Sequence, residues 1–214
     1  GRFPHPAVSN FMGSTFLKQA LIELAPDTSL LKAEPTDETF SAATEPLWAW
    51  YDALRPALWR GGRAFPESES VQNRMLNDGE VDFTMAFDPA AAAAAVERGL
   101  LPETVRSYAP KGGSIGNISF VAIPFNAAHK EGAMIVANFL LDPAVQARAQ
   151  DIRVLGSYSV LDPEKLGETE ANAFAALPAS PALPSNAELG PVLNEPHPGW
   201  MTRITAEWAR RYTE

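Results

Sequence analysis

None of the 214 residues is a cysteine. Disulfides, thiolate nucleophiles and cysteine-type zinc sites are all excluded by that absence. No apolar run approaches the roughly 18 residues that a membrane-spanning helix needs. Basic residues are the minority, 17 against 26 acidic, for a formal net charge of −9. With no basic stripe interleaved with aromatics, a nucleic-acid surface is not expected. A carboxylate-rich surface bears mainly on solubility and is compatible with cationic ligands. Histidine is scarce too. His5, His129 and His197 stand alone, without the H-x-H, H-E-x-x-H or H-x-x-E-H spacing of a metal centre, so neither a metal nor a cofactor is expected. The stretch Gly1-Arg2-Phe3-Pro4 lacks a basic start followed by an apolar segment, so a secretory signal is expected only outside this chain.

What is present is enough apolar material for a packed core: 46% of the residues are hydrophobic and 20% charged. Residues 14–25 read as a helix with Phe16, Leu17, Ala20, Leu21 and Leu24 on one face and Ser14 or Thr15 as N-cap. A second helix is expected over about 37–59, rich in Trp48, Trp50, Tyr51, Leu54 and Trp59, with Pro46 and Pro56 at turns or kinks. A short helix over 68–77 ends at Asn77-Asp78-Gly79. Val81–Phe87 alternates as a strand does, the alanine run 90–95 forms a helix closed by Arg98-Gly99, and Val105–Ala109 reads as another strand. The apolar run Ile118–Ile123 predicts a strand, and after Pro124 and Asn126 the spacing of Ala133, Ile135, Val136, Phe139 and Leu140 predicts a helix over 131–141. Helical pattern continues over 143–151. A proline-rich arm covers 177–198, and Trp200, Ile204 and Trp208 stack at i, i+4, i+8 on a closing amphipathic helix, about 200–212.

Four features bear on function. Phe11-Met12-Gly13-Ser14-Thr15 offers backbone N–H groups and two hydroxyls at a helix start, a natural anion or ligand-oxygen site that is also an ordinary cap. Gly112-Gly113-Ser114-Ile115-Gly116 satisfies G-x-S-x-G, with Asp151, Asp162 and His197 following in acyl-hydrolase order, but it lies between a loop and a strand rather than a strand and a helix. Glu67 and Glu69 read as solvated charges. Trp48, Trp50, Tyr51 and Trp59 with Phe87 and Asp88 have the composition of an organic-cation site, although large aromatics dominate cores.

Four stretches, Gly1–Leu21, Glu67–Phe87, Gly116–Gln150 and Glu195–Tyr212, together resemble the extracellular solute-binding proteins (family 1) of ABC importers, of the YnjB type. The resemblance implies an α/β fold, a periplasmic-binding-protein type II-like lobe with a mixed sheet flanked by helices, closing on a ligand at a hinge. It divides the chain into a second, ligand-binding lobe (1–115), a returning hinge strand and helices (116–176), and the proline-rich arm with the C-terminal helix (177–214). The first lobe is absent, so the chain reads as a fragment. By the same resemblance Gly13, Ser14 and Thr15 offer N–H and hydroxyl groups, Phe87 and Asp88 lie past a strand end where open α/β sheets place ligands, Asn117 sits at the hinge, and Ser70 and Gln72 lie on the preceding helix.

The function expected from this reading is periplasmic capture of a small solute by lobe closure, driven by the solute's differential affinity, and delivery to an ABC permease in the membrane. The protein would not be an enzyme or bind nucleic acid, and the chain alone would either pair as a homodimer or expose a mobile returning segment. A small α/β acyl hydrolase using Ser114 is the alternative from another class, and a transcription-factor effector domain a third.

Overall fold

Asn10, not Ser14 or Thr15, opens the first helix. Its side-chain oxygen accepts the Met12 N–H at 2.9 Å, which satisfies one of the donors a helix start leaves free. The computed structural model describes residues 1–116 and 118–213. It divides into unit 1 (Gly1–Phe87, Ala109–Gly116 and Asn186–Glu214) and unit 2 (Asp88–Tyr108 and Asn117–Ser185).

In unit 1, α1 spans Phe11–Leu24 and α2 Asp37–Leu54. Thr36 and Thr39 close a reciprocal capping box at the start of α2, with Asp37 and Glu38 in the first turn where the helix dipole favours negative charge. Pro46 lies inside α2 and deprives the Ala42 carbonyl of its helical donor; Ala42 is exposed, so water can replace that donor. Past Leu54 the chain tightens into a 3₁₀ turn, Arg55–Ala57, at Pro56. α3, Glu69–Asn77, is capped by the Ser68 hydroxyl and stops at Gly79, whose φ of 68° suits a residue without a Cβ.

Unit 2 contributes α4, Ala91–Glu97, whose alanines need no side-chain ordering. In unit 1, β1 (Ser114–Ile115) follows. Unit 2 then supplies α5 (Lys130–Leu140), α6 (Pro143–Gln150) and α7 (Glu168–Ala175). Unit 1 closes with α8 (Asn186–Leu189), β2 (Val192–Leu193) and α9 (Pro198–Tyr212).

The core of unit 1 is helical. α1 packs on α2 and α9. Leu17, Leu21, Leu47, Tyr51, Trp200 and Ile204 are all fully buried there, each contributing roughly 1.5–3 kcal/mol as apolar surface leaves water. The expected stack of Trp200, Ile204 and Trp208 is present with all three buried. The Trp200 indole N–H donates to the Ala33 carbonyl at 2.9 Å. Unit 2 has a thinner core of Ala90, Ala93, Ala94, Ile152 and Ala182.

The expected mixed sheet flanked by helices is absent, so the α/β lobe assigned from sequence is corrected. Helix makes up 51% of the chain. Among the described residues the one sheet is a parallel pair, Ser114 with Val192 and Ile115 with Leu193. No strand forms over 81–87, 105–109 or 118–123. Alternating apolar residues encode a face that could be buried; they do not supply a neighbour to pair with. In 81–87 Val81 alone is buried, while Phe83 and Phe87 are about half exposed. That segment is pinned instead by Arg2, whose guanidinium donates to both Asp82 carboxylate oxygens (2.7 and 2.8 Å) and whose carbonyl accepts the Asp82 N–H.

Candidate functional site

Phe11 and Phe87 place two aromatic rings side by side at the surface of unit 1. Their centroids are 5.3 Å apart with planes tilted by 39°, and the residues are 62% and 53% exposed. In the same unit, the Gln72 amide donates to the Met12 sulfur at 3.5 Å. Gln72 is fully buried, and its side-chain oxygen has no partner. Lys18, about two turns along α1 from Phe11, holds its ammonium 5.9 Å from the Phe11 ring centre and 2.9 Å from Glu195 Oε2. Lys18 is 3% exposed, so the Glu195 carboxylate neutralises a cation that burial alone would penalise. Glu195 also lines an open cleft of about 490 Å³ beside α1, together with Ile22, Glu23, Leu31, Lys32 and Leu193. That volume falls within the range of small-molecule sites.

Sequence reasoning brought some of this together. Phe87 belongs to the ring pair, whereas Gln72 is buried on α3 with its amide on the Met12 sulfur. Gly13, Ser14 and Thr15 are at the start of α1 as expected, but their polar groups are committed. The Ser14 and Thr15 hydroxyls both donate to the Phe11 carbonyl, at 2.9 and 2.8 Å. A Cβ on Gly13 would strike the carbonyl oxygens of Pro6 and Ala7, so this glycine permits a close approach of backbone to helix. Ser70 pairs with the Ser68 hydroxyl at 3.0 Å on the exposed side of α3. Asp88 belongs to unit 2, where it accepts the Ala90 N–H at 2.9 Å ahead of α4. Asn117 lies outside the described residues. Phe11, Lys18 and Glu195 were missed. Phe11 stood in the quoted motif, but exposure of an aromatic at a helix start leaves no periodic signal.

The tryptophan set does not form a ligand cage. Trp48 and Tyr51 are core residues. Several rings already carry a cation of this chain: the Arg60 guanidinium lies 4.3 Å from the Trp59 ring centre, Arg203 4.3 Å from Phe40, and Arg211 5.0 Å from Trp48. The surroundings of Ser114 differ from a hydrolase elbow, since it lies within β1 and pairs with Val192. His197, the base proposed for it, caps α9 by accepting the Gly199 N–H at 3.2 Å. His5 is buried and hydrogen-bonded on both ring nitrogens. Among the described residues no three histidine or carboxylate side chains cluster to hold a metal ion, and no helix is long and apolar enough to cross a membrane.

No family model matches the chain, and no solved structure matches it. The expected membership in the importer solute-binding family is therefore corrected, because no model of such a family matches and the helical architecture is not that of its lobe. The chain is similar to Protein YnjB of Escherichia coli (strain K12), at 41% identity over 212 residues, covering 99% of this chain and 53% of that protein. It thus spans about half the length of a relative whose name states no activity or ligand.

Proposed function

We propose that unit 1 captures a small solute carrying a flat ring, and that the protein delivers it from the periplasm to an ABC permease in the membrane. The observation that carries the capture reading is the exposed Phe11–Phe87 pair, 5.3 Å apart. Apolar rings left in water gain when a flat partner covers them. Each such contact contributes roughly 0.5–1.5 kcal/mol beyond its buried area. Two rings alone give weak binding. Delivery to an importer rests on the sequence pattern alone and not on the fold.

Titration with benzoate, nicotinamide and benzylammonium, followed by ligand-observed NMR, tests capture with an anionic, a neutral and a cationic ring. Binding of at least one probe, weakened at least fivefold in both Phe11→Ala and Phe87→Ala, supports the proposal. Failure of all three to bind, or binding indifferent to both substitutions, overturns it.

A further inference from the structure

The helix α5 buries none of its residues, although Met134, Ile135, Val136 and Phe139 are each 56–71% exposed. The extended segment immediately before it is more open still, with Phe120 at 84% and Phe125 at 90%. Across 118–141 the only charged residues are Lys130 and Glu131. A helix apolar around much of its circumference belongs in an interior. An extended segment that pairs with no strand among the described residues presents free backbone donors and acceptors.

We infer that the face formed by 118–125 and α5 is a homodimer interface, in which the segment pairs antiparallel with its own copy across a two-fold axis and α5 packs against the copy's apolar surface. The area supports a second copy. The six side chains named above, each with on the order of 150–200 Å² of surface and more than half exposed, present about 600 Å². With their apolar neighbours they approach the roughly 800 Å² per partner that a stable interface buries, and they exceed what an ordinary monomer leaves in water. Self-complementarity follows from the chemistry: a two-fold axis sets the same patch against itself, each residue meeting a different one on the copy, and an apolar patch whose one Lys and one Glu cancel brings no net charge to oppose. A lipid surface is the poorer fit, because interfacial helices carry a Lys- and Arg-rich flank and this one has Lys130 alone.

Sedimentation equilibrium at tens of micromolar reads the mass of the 214-residue chain, and amide exchange reads 118–123. The expected result is twice the mass of one chain, with slowed exchange over 118–123. In Ile135→Asp/Phe139→Asp association should weaken at least tenfold, exchange over 118–123 should accelerate by a similar factor, and far-UV circular dichroism should be unchanged. Phe125→Asp, at a loop position with little to unfold, gives a second measure of the same loss. A monomeric wild-type chain would overturn the inference. So would a dimer whose mass neither variant changes, a dimer with unprotected amides over 118–123, or co-sedimentation with phosphatidylcholine vesicles in place of self-association.

Discussion

The Tyr51 hydroxyl donates to His5 Nε2 at 2.8 Å, with both residues at the bottom of the unit 1 core, 0% and 1% exposed. The Pro6 carbonyl can only accept, so His5 Nδ1, 2.7 Å away, carries the ring proton. The imidazole is thereby held neutral in one tautomer, and burial lowers its pKa from 6.5 to about 4. Tyr51 is pushed the other way by burial, up to about 12.

Stability should accordingly fall with pH in a defined window. Below pH 6.5 the unfolded chain takes up a proton on His5 that the folded chain refuses until about pH 4. The unfolded state therefore binds more protons across that interval, and the folded state loses about 3 kcal/mol in total as pH drops through it. Glu207, held down to about 2 chiefly by its hydrogen bond from Arg210, releases its contribution only below its ordinary 4.5. Urea unfolding at pH 6.5, 5.5 and 5.0 isolates the histidine, and His5→Gln should flatten the dependence. An unchanged slope in that variant would assign the protons elsewhere.

Tyr51→Phe removes the donor and leaves a buried ring nitrogen unpaired. The expected cost is roughly 1–3 kcal/mol by urea denaturation at pH 7.

Gly13→Ala should destabilise unit 1 although alanine is the better helix former. The added Cβ meets the Pro6 and Ala7 carbonyls, both backbone, and overpacking of that kind costs roughly 1–3 kcal/mol. A stabilised variant would show that the residues preceding α1 give way freely.

Gln72→Met tests the unpartnered amide oxygen. Replacing a buried polar group of which one end is unsatisfied with an apolar side chain of similar length should be neutral or mildly stabilising. A loss above about 2 kcal/mol would mean that the oxygen is satisfied in solution.

Ser114 should behave as a structural residue. A fluorophosphonate probe is expected to leave the native chain unlabelled, and stoichiometric labelling abolished by Ser114→Ala would favour the hydrolase reading over solute capture.

The helices were legible because each carries its own instructions. Thr36 with its reciprocal partner, Pro143 after the Asp142 cap, and the Trp200, Ile204, Trp208 spacing all state a helix within a few residues of sequence. Helix starts were less so: Ser14 and Thr15 are better looking caps than Asn10 until the hydroxyls are seen to fold back on Phe11. Strands failed because pairing is not local. Val81–Phe87 and Ile118–Ile123 have the right residues, yet nothing in either segment specifies a neighbour, and Arg2 claims the first of them through Asp82. The candidate site was half legible for a related reason. Phe87 was named from its segment and Gln72 only through the family resemblance, whereas the apposition of Phe11 with Phe87 joins residues 76 positions apart, and the Lys18–Glu195 pair spans almost the whole chain.

The capture proposal is tested most directly by intermolecular nuclear Overhauser effects between a bound ring probe and the side chains of Phe11 and Phe87, with benzoate, nicotinamide and benzylammonium taken in turn. Cross-peaks are expected from the ring protons of a bound probe to both phenylalanine rings, lost for both when either is replaced by alanine. Cross-peaks confined to other residues, or an absence of any to these two rings at saturating probe, would contradict it.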